Sequence, residues 1–166
     1  MAPIRAFAQL PDEGRPIDLG DFEMQVKADA ASTGGAVSVL EATEPPGFGP
    51  PIHVHHDAAE AFYVLEGEYV MHLDGEDVRC PAGSFVFIPL GVPHGFTVGD
   101  VPSRKLNFYF PAAMIGYFDE LAAALAREAV SEEELAEVAQ AHAMEIVGPP
   151  SERYVSRREA RRARGG

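Results

Sequence analysis

Cysteine is almost absent: Cys80 stands alone among 166 residues. A lone thiol excludes an internal disulfide and any metal centre built from several cysteines, so a metal here must sit on nitrogen and oxygen. Long hydrophobic runs are missing too. The N-terminal MAPIRAFAQLPDEGRPIDLG lacks the apolar core of a secretion signal, and no stretch reaches the roughly 20 apolar residues of a membrane span. The expectation is a cytoplasmic protein with no membrane partner. Positive charge is scarce, with 13 Lys and Arg against 26 Asp and Glu and a net charge of -13. Arg153, Arg157, Arg158, Arg161, Arg162 and Arg164 crowd the last fourteen residues, which leaves the rest of the chain more acidic than that total. An acidic body repels nucleic acid and anionic membrane, and nucleic acid is excluded as the main partner. The basic segment 148–166 reads as a solvated, disordered tail that folds back on the acidic body.

What is present is enough for one domain, with 46% apolar residues that include ten Phe and five Tyr. Between residues 36 and 110 short β-branched and aromatic runs follow one another: AVSVLEAT, PIHVHH, AFYVLEGEYVMHLDG, SFVFIP, HGFTV and KLNFYF. Turn signals at Asp74-Gly75 and Pro81-Ala82-Gly83 separate them, and no helical pattern intervenes. This spacing predicts an all-β, antiparallel sandwich or barrel. Segment 1–35 adds at most one strand, around FEMQVKA. After Pro111 the pattern turns helical in AAMIGYFDELAAALAREAV and SEEELAEVAQAHAMEI, the second opening on a Ser131/Glu134 capping box. Segment 111–147 is thus expected as two helices packed outside the β unit.

The stretch GFGPPIHVHHDAAEAFYVLEG concentrates the chemistry. Side chains two apart on a strand share a face, so His53 and His55 project together. Glu60 can return over the same interior from the next strand, and His94, after PLGVP, is the natural fourth ligand. Three imidazoles and a carboxylate suit one divalent transition ion among Fe, Ni, Co, Mn, Cu and Zn. The spacing from Gly47 through His53, His55 and Glu60 to Gly67 reads G-x5-H-x-H-x4-E-x6-G, and that from Gly83 through Pro89 and Gly91 to His94 reads G-x5-P-x-G-x2-H. In both, the chain resembles the cupins. The resemblance implies a small jelly-roll barrel with one metal held by His53, His55, Glu60 and His94. One position departs from the pattern: Val98 stands where the second motif often carries asparagine, which favours an apolar or aromatic substrate.

Other histidines read as bystanders: His56 by parity, His142 in the acidic C-terminal helix, and His72 before the Asp74-Gly75 turn, at most at the pocket mouth. A rival reading takes His55, Asp57 and His94 as a facial triad with Arg104 as the anion-binding residue of iron oxygenases. The H-x-H of amidohydrolases needs a barrel of about 250 residues, which this chain is too short to form. Phe62, Val64, Phe96, Val98, Phe108 and Phe110, with Leu106, are expected to line an apolar substrate pocket around the metal. The arrangement resembles the single-domain cupins related to quercetin 2,3-dioxygenase, which implies a metal-dependent dioxygenase acting on a flavonol- or polyketide-like substrate. Dioxygen and a small aromatic would be its partners. Glu60 would then be ligand and catalytic base, with its carboxyl raised by the apolar site. The alternatives are a non-redox isomerase, epimerase or cyclase using the metal as a Lewis acid, and a ligand-binding barrel without catalysis. A homodimer is the default assembly.

Overall fold

The computed structural model describes residues 3–127 and 129–149. In chain order it contains β1 (Arg15–Asp18), β2 (Glu23–Ala28), α1 (Ala30–Thr33), β3 (Ser38–Glu44), β4 (His53–His55), β5 (Ala59–Glu66), β6 (Glu68–Leu73) and β7 (Glu76–Pro81). There follow β8 (Phe85–Ile88), β9 (His94–Val98), β10 (Ser103–Phe110), α2 (Ile115–Leu125), α3 (Glu132–Ala141) and β11 (Met144–Ile146). One sheet has the order β1-β2-β3-β10-β5-β8 and the other β11-β4-β9-β6-β7, with every pairing antiparallel.

The strands do not close into the expected barrel. Closure needs a continuous, staggered hydrogen-bonded ladder around the whole circumference. Here the sheets end in short edge strands, β8 with four residues and β11 with three, and no ladder joins one sheet to the other among the described residues. The result is a jelly-roll sandwich. Its turns follow from the local sequence: Asp74 and Gly75 both take positive φ (50° and 85°), the conformation of a tight hairpin between β6 and β7. Gly67, at φ 73°, separates β5 from β6, and a Cβ there would lie 2.1 Å from Ser103 Oγ. Only glycine meets both demands.

Two apolar clusters fill the interior. Phe62, Val64, Tyr69, Met71, Cys80, Val86, Ile88, Phe96 and Val98 pack between the sheets. Ile17, Met24, Val26, Leu40, Ala42 and Tyr109 form the second cluster with Met114, Ala139 and Met144, so α2 and α3 cover it from outside. The Ser131/Glu134 capping box opens α3, with Glu134 N donating to Ser131 Oγ at 3.1 Å and Ser131 N to Glu134 Oε2 at 3.0 Å.

Two expectations are corrected. The N-terminal segment supplies two strands, and Pro16 sits in β1 at the sheet edge, where a missing N–H costs no ladder bond. AMEI does not continue the second helix. The chain leaves α3 at Ala143 (φ 54°), and β11 pairs with β4, Met144 opposite His55 and Ile146 opposite His53. Helical periodicity survives to the end of that stretch, but the ladder along β4 outweighs it. Past Ile146, Val147 and Gly148 both donate to Ile52 O, and the remainder of the basic tail, from residue 150, lies outside the described residues. No described helix is long and apolar enough to cross a membrane.

Candidate metal centre

β4, β5 and β9 bring the four ligand candidates together. His53 and His94 are directly opposite across the β4/β9 pair, while Glu60 enters from the facing sheet, opposite Tyr109 of β10 and Ile88 of β8. Ligand atoms of His53, His55, Glu60 and His94 all lie within 4.8 Å of one another. His55, Glu60 and His94 are buried and His53 is half-buried, so the cluster has one side nearer to solvent.

Backbone carbonyls fix the imidazoles. His53 Nδ1 meets Pro51 O at 2.8 Å and His94 Nδ1 meets Val92 O at 2.8 Å, so in each ring Nδ1 is the donor and Nε2 is left for the centre. His55 Nε2 and His94 Nε2 converge on Glu60 Oε2 at 3.0 and 2.8 Å, while the buried Nδ1 of His55 has no partner. Three ring nitrogens and one carboxylate oxygen within 4.8 Å of one another are the donor set of a divalent first-row ion, and the residues present fit one.

Electrostatics sharpen this. Burial alone would raise the Glu60 carboxyl, but hydrogen bonds from His55 and His94 outweigh it and hold it well below the usual range. The expected upward shift is therefore reversed: Glu60 is a firm anion while the imidazoles face it. Burial, with the neighbouring His94 charge, brings His53 down to about 4, so it is neutral at ordinary pH. For His94 burial pulls downward, yet its hydrogen bond and charge contact with Glu60 win and raise it. A metal must displace the His94 proton. Its apparent affinity is therefore expected to fall about tenfold per pH unit below the raised His94 pKa, with His53 adding competition only in strong acid. Zinc competition against a chelator from about pH 8 to about pH 5 measures this, and a flat profile contradicts it.

The other sequence candidates are elsewhere. Asp57 is exposed at the bend, and His56 is exposed against Glu145 Oε2 at 3.0 Å. Arg104 reaches outward to Glu41 at 3.0 Å and Glu66 at 2.8 Å, so the facial-triad arrangement is not formed. His72 contacts Asp77 and Thr97 on the outer side of β6, away from the interior that Tyr69 and Met71 face, and so does not reach the pocket mouth. His142 meets Glu120 Oε1 at 3.1 Å and the Tyr117 ring. Phe62, Val64, Phe96 and Val98 do share the interior cluster. Phe108 and Phe110 do not: β10 turns Ser103, Lys105, Asn107 and Tyr109 inward, and Leu106, Phe108 and Phe110 outward.

That parity places polar groups where an apolar pocket was expected. Lys105 and Glu44 are wholly buried and paired, with Nζ 2.9 Å from both carboxylate oxygens. Tyr69 donates its hydroxyl to Glu44 Oε2 at 2.7 Å, and Lys105 Nζ stands 4.3 Å from the Phe96 ring centroid. The available signal was the pairing of β3 and β10, which sets Glu44 one row from Lys105 on the parity of Leu40 and Ala42.

Residues 40–109 match the family model described as "Cupin domain". The chain is a cupin superfamily member. It is 30% identical over 96 residues to quercetin 2,3-dioxygenase of Bacillus subtilis, an overlap of 58% of this chain and 28% of that protein. With the acireductone dioxygenase of Gluconacetobacter diazotrophicus it shares 40% identity over 53 residues, 30% of either chain. The cupin thus spans under a third of the length of these two relatives. Among solved structures, KdgF from Halomonas superposes with a TM-score of 0.58 at 18% identity, covering 64% of this chain and 94% of that one. This last likeness concerns the fold.

Proposed function

We propose that this cupin is a metal-dependent dioxygenase acting on an enolisable or phenolic aromatic of the flavonol or polyketide kind. The observation that carries the reading is the gathering of His53, His55, Glu60 and His94, one ligand atom from each within 4.8 Å of the rest. Likeness to two proteins named as dioxygenases supports it. When bound, a first-row ion supplies Lewis acidity and a site for dioxygen. His53, His55 and His94 would hold it through Nε2, with Nδ1 of His53 and His94 tied to backbone carbonyls. Glu60 would join them through Oε2 and would serve as both ligand and base, taking the substrate's hydroxyl proton on its carboxylate. Phe62 and Phe96, edge-to-face at 6.0 Å, bound the apolar side of the interior.

Oxygen uptake with the metal-loaded protein and 3-hydroxyflavone tests this. The reading expects about one dioxygen consumed per substrate and no turnover without oxygen. Turnover that persists anaerobically overturns it in favour of non-redox, Lewis-acid isomerisation.

We further propose that the protein acts as a homodimer through the outer face of its six-stranded sheet. There Tyr63, Phe85, Phe87 and Phe110 are exposed at 41%, 65%, 56% and 42%, on the adjoining strands β8, β5 and β10. A contiguous aromatic face next to an edge strand suits an isologous contact with a second copy. Phe87→Glu is expected to convert the dimer to monomer in sedimentation velocity, and an unchanged sedimentation coefficient contradicts this surface.

A further inference from the structure

Two inward residues of β10 stand beside the candidate centre without belonging to it. Tyr109, 2% exposed, lies directly opposite Glu60 across the β5/β10 ladder. Its ring meets that of His55 edge-on, with centroids 5.6 Å apart and planes at 79°. One tyrosine thus touches two of the four ligand candidates. Asn107, 4% exposed, precedes it by two positions on the same face, opposite Phe62.

Hydrogen-bond logic orders these groups. Tyr109 and Asn107 share the inward face of β10, with Glu60 directly opposite Tyr109, and the Glu60 carboxylate and the Asn107 amide both hydrogen-bond the Tyr109 hydroxyl. A carboxylate can only accept, so the single phenolic proton goes to Glu60. The phenol oxygen is then left to accept, which an amide N–H can satisfy. Asn107 must therefore turn its Nδ2 toward Tyr109 and its Oδ1 away, and that buried Oδ1 has no protein partner. Glu60, for its part, engages both His55 and His94 through Oε2, which keeps Oε1 outside those bonds.

We propose that Tyr109, itself oriented by Asn107, is a positioning residue that holds one oxygen of Glu60 by a hydrogen bond, so that Glu60 offers the metal a single oxygen. The inference rests on the metal reading of the cluster. It assigns β10 a role at the centre that its apolar outward parity conceals. A carboxylate held at one oxygen cannot swing to chelate with both, so the coordination number is set by a residue that binds no metal. Asn107 acts one step further out, by denying the phenol an alternative rotation.

The test uses the full chain loaded with Co2+, whose visible bands weaken as coordination number rises, with affinity measured by chelator competition. Tyr109→Phe, which removes only the hydroxyl, is expected to bind about one Co2+ per chain with weaker visible bands, as Glu60 chelates, and with roughly ten- to hundred-fold lower affinity. Asn107→Leu, similar in volume, is expected to move the spectrum in the same direction by a smaller amount. Far-ultraviolet circular dichroism establishes that both variants fold. Variant spectra superimposable on the wild type, with stoichiometry intact, overturn the proposal alone. A wild-type protein that takes up no cobalt overturns the metal reading and this proposal together.

Discussion

Lys105→Met should destabilise the protein by about 3–5 kcal/mol, because it leaves the Glu44 carboxylate buried without its cation. Lys105 is 0% and Glu44 2% exposed, so solvent screens neither partner. The pair replaces water only because its geometry is nearly saturated: Nζ meets both carboxylate oxygens and is boxed by the Phe62, Tyr69 and Phe96 rings at 5.1, 5.3 and 4.3 Å. Methionine keeps the volume and the apolar contacts but supplies no charge. For a chain of this size the loss corresponds to a fall in Tm of roughly 6–20 °C. Adding Glu44→Gln is expected to recover at least half of it, since a neutral amide can still accept from the Tyr69 hydroxyl and no charge is stranded. Thermal unfolding followed by circular dichroism decides the matter. A single variant within about 1 kcal/mol of wild type means that the interior is wetter than the structure places it.

Glu60→Ala is expected to weaken metal binding by about a hundred-fold or more. Structural sites with four ligands bind with an apparent 10–16 kcal/mol, so one ligand carries roughly 3 kcal/mol. The variant also removes the only anion among the four candidates and the shared acceptor of His55 and His94. Asp57→Ala is the matched control. It deletes an equal charge three residues away, at an exposed position outside the cluster, and is expected to leave affinity within about twofold. Chelator competition with zinc gives both values. Metal lost from Asp57→Ala and kept by Glu60→Ala would restore the facial-triad reading.

The cluster was readable in the sequence because strand parity is a local property. His53 and His55 lie two apart, and the spacing to Glu60 and His94 follows from where turns fall. Strand β10 was not readable in the same way. SRKLNFYF carries apolar residues on one parity and serine, lysine, asparagine and tyrosine on the other, so hydrophobic patterning points the wrong set inward. Tertiary context decides instead: Lys105 finds Glu44 on β3, and Leu106, Phe108 and Phe110 join an outer aromatic face. Strand β11 escaped for a related reason. Nothing in AMEI distinguishes a helix end from a strand until β4 offers it an edge. The open sandwich belongs to the same class of feature, since alternation along strands is identical in a sandwich and a barrel.

Metal content per chain tests the central claim most directly. After loading with zinc or cobalt, removal of free ion and elemental analysis, the account expects about one ion per chain in the wild type and in Asp57→Ala, and near none in Glu60→Ala. A wild-type chain that retains no ion, or a Glu60→Ala chain that retains it in full, would contradict the assignment of His53, His55, Glu60 and His94 as a metal centre.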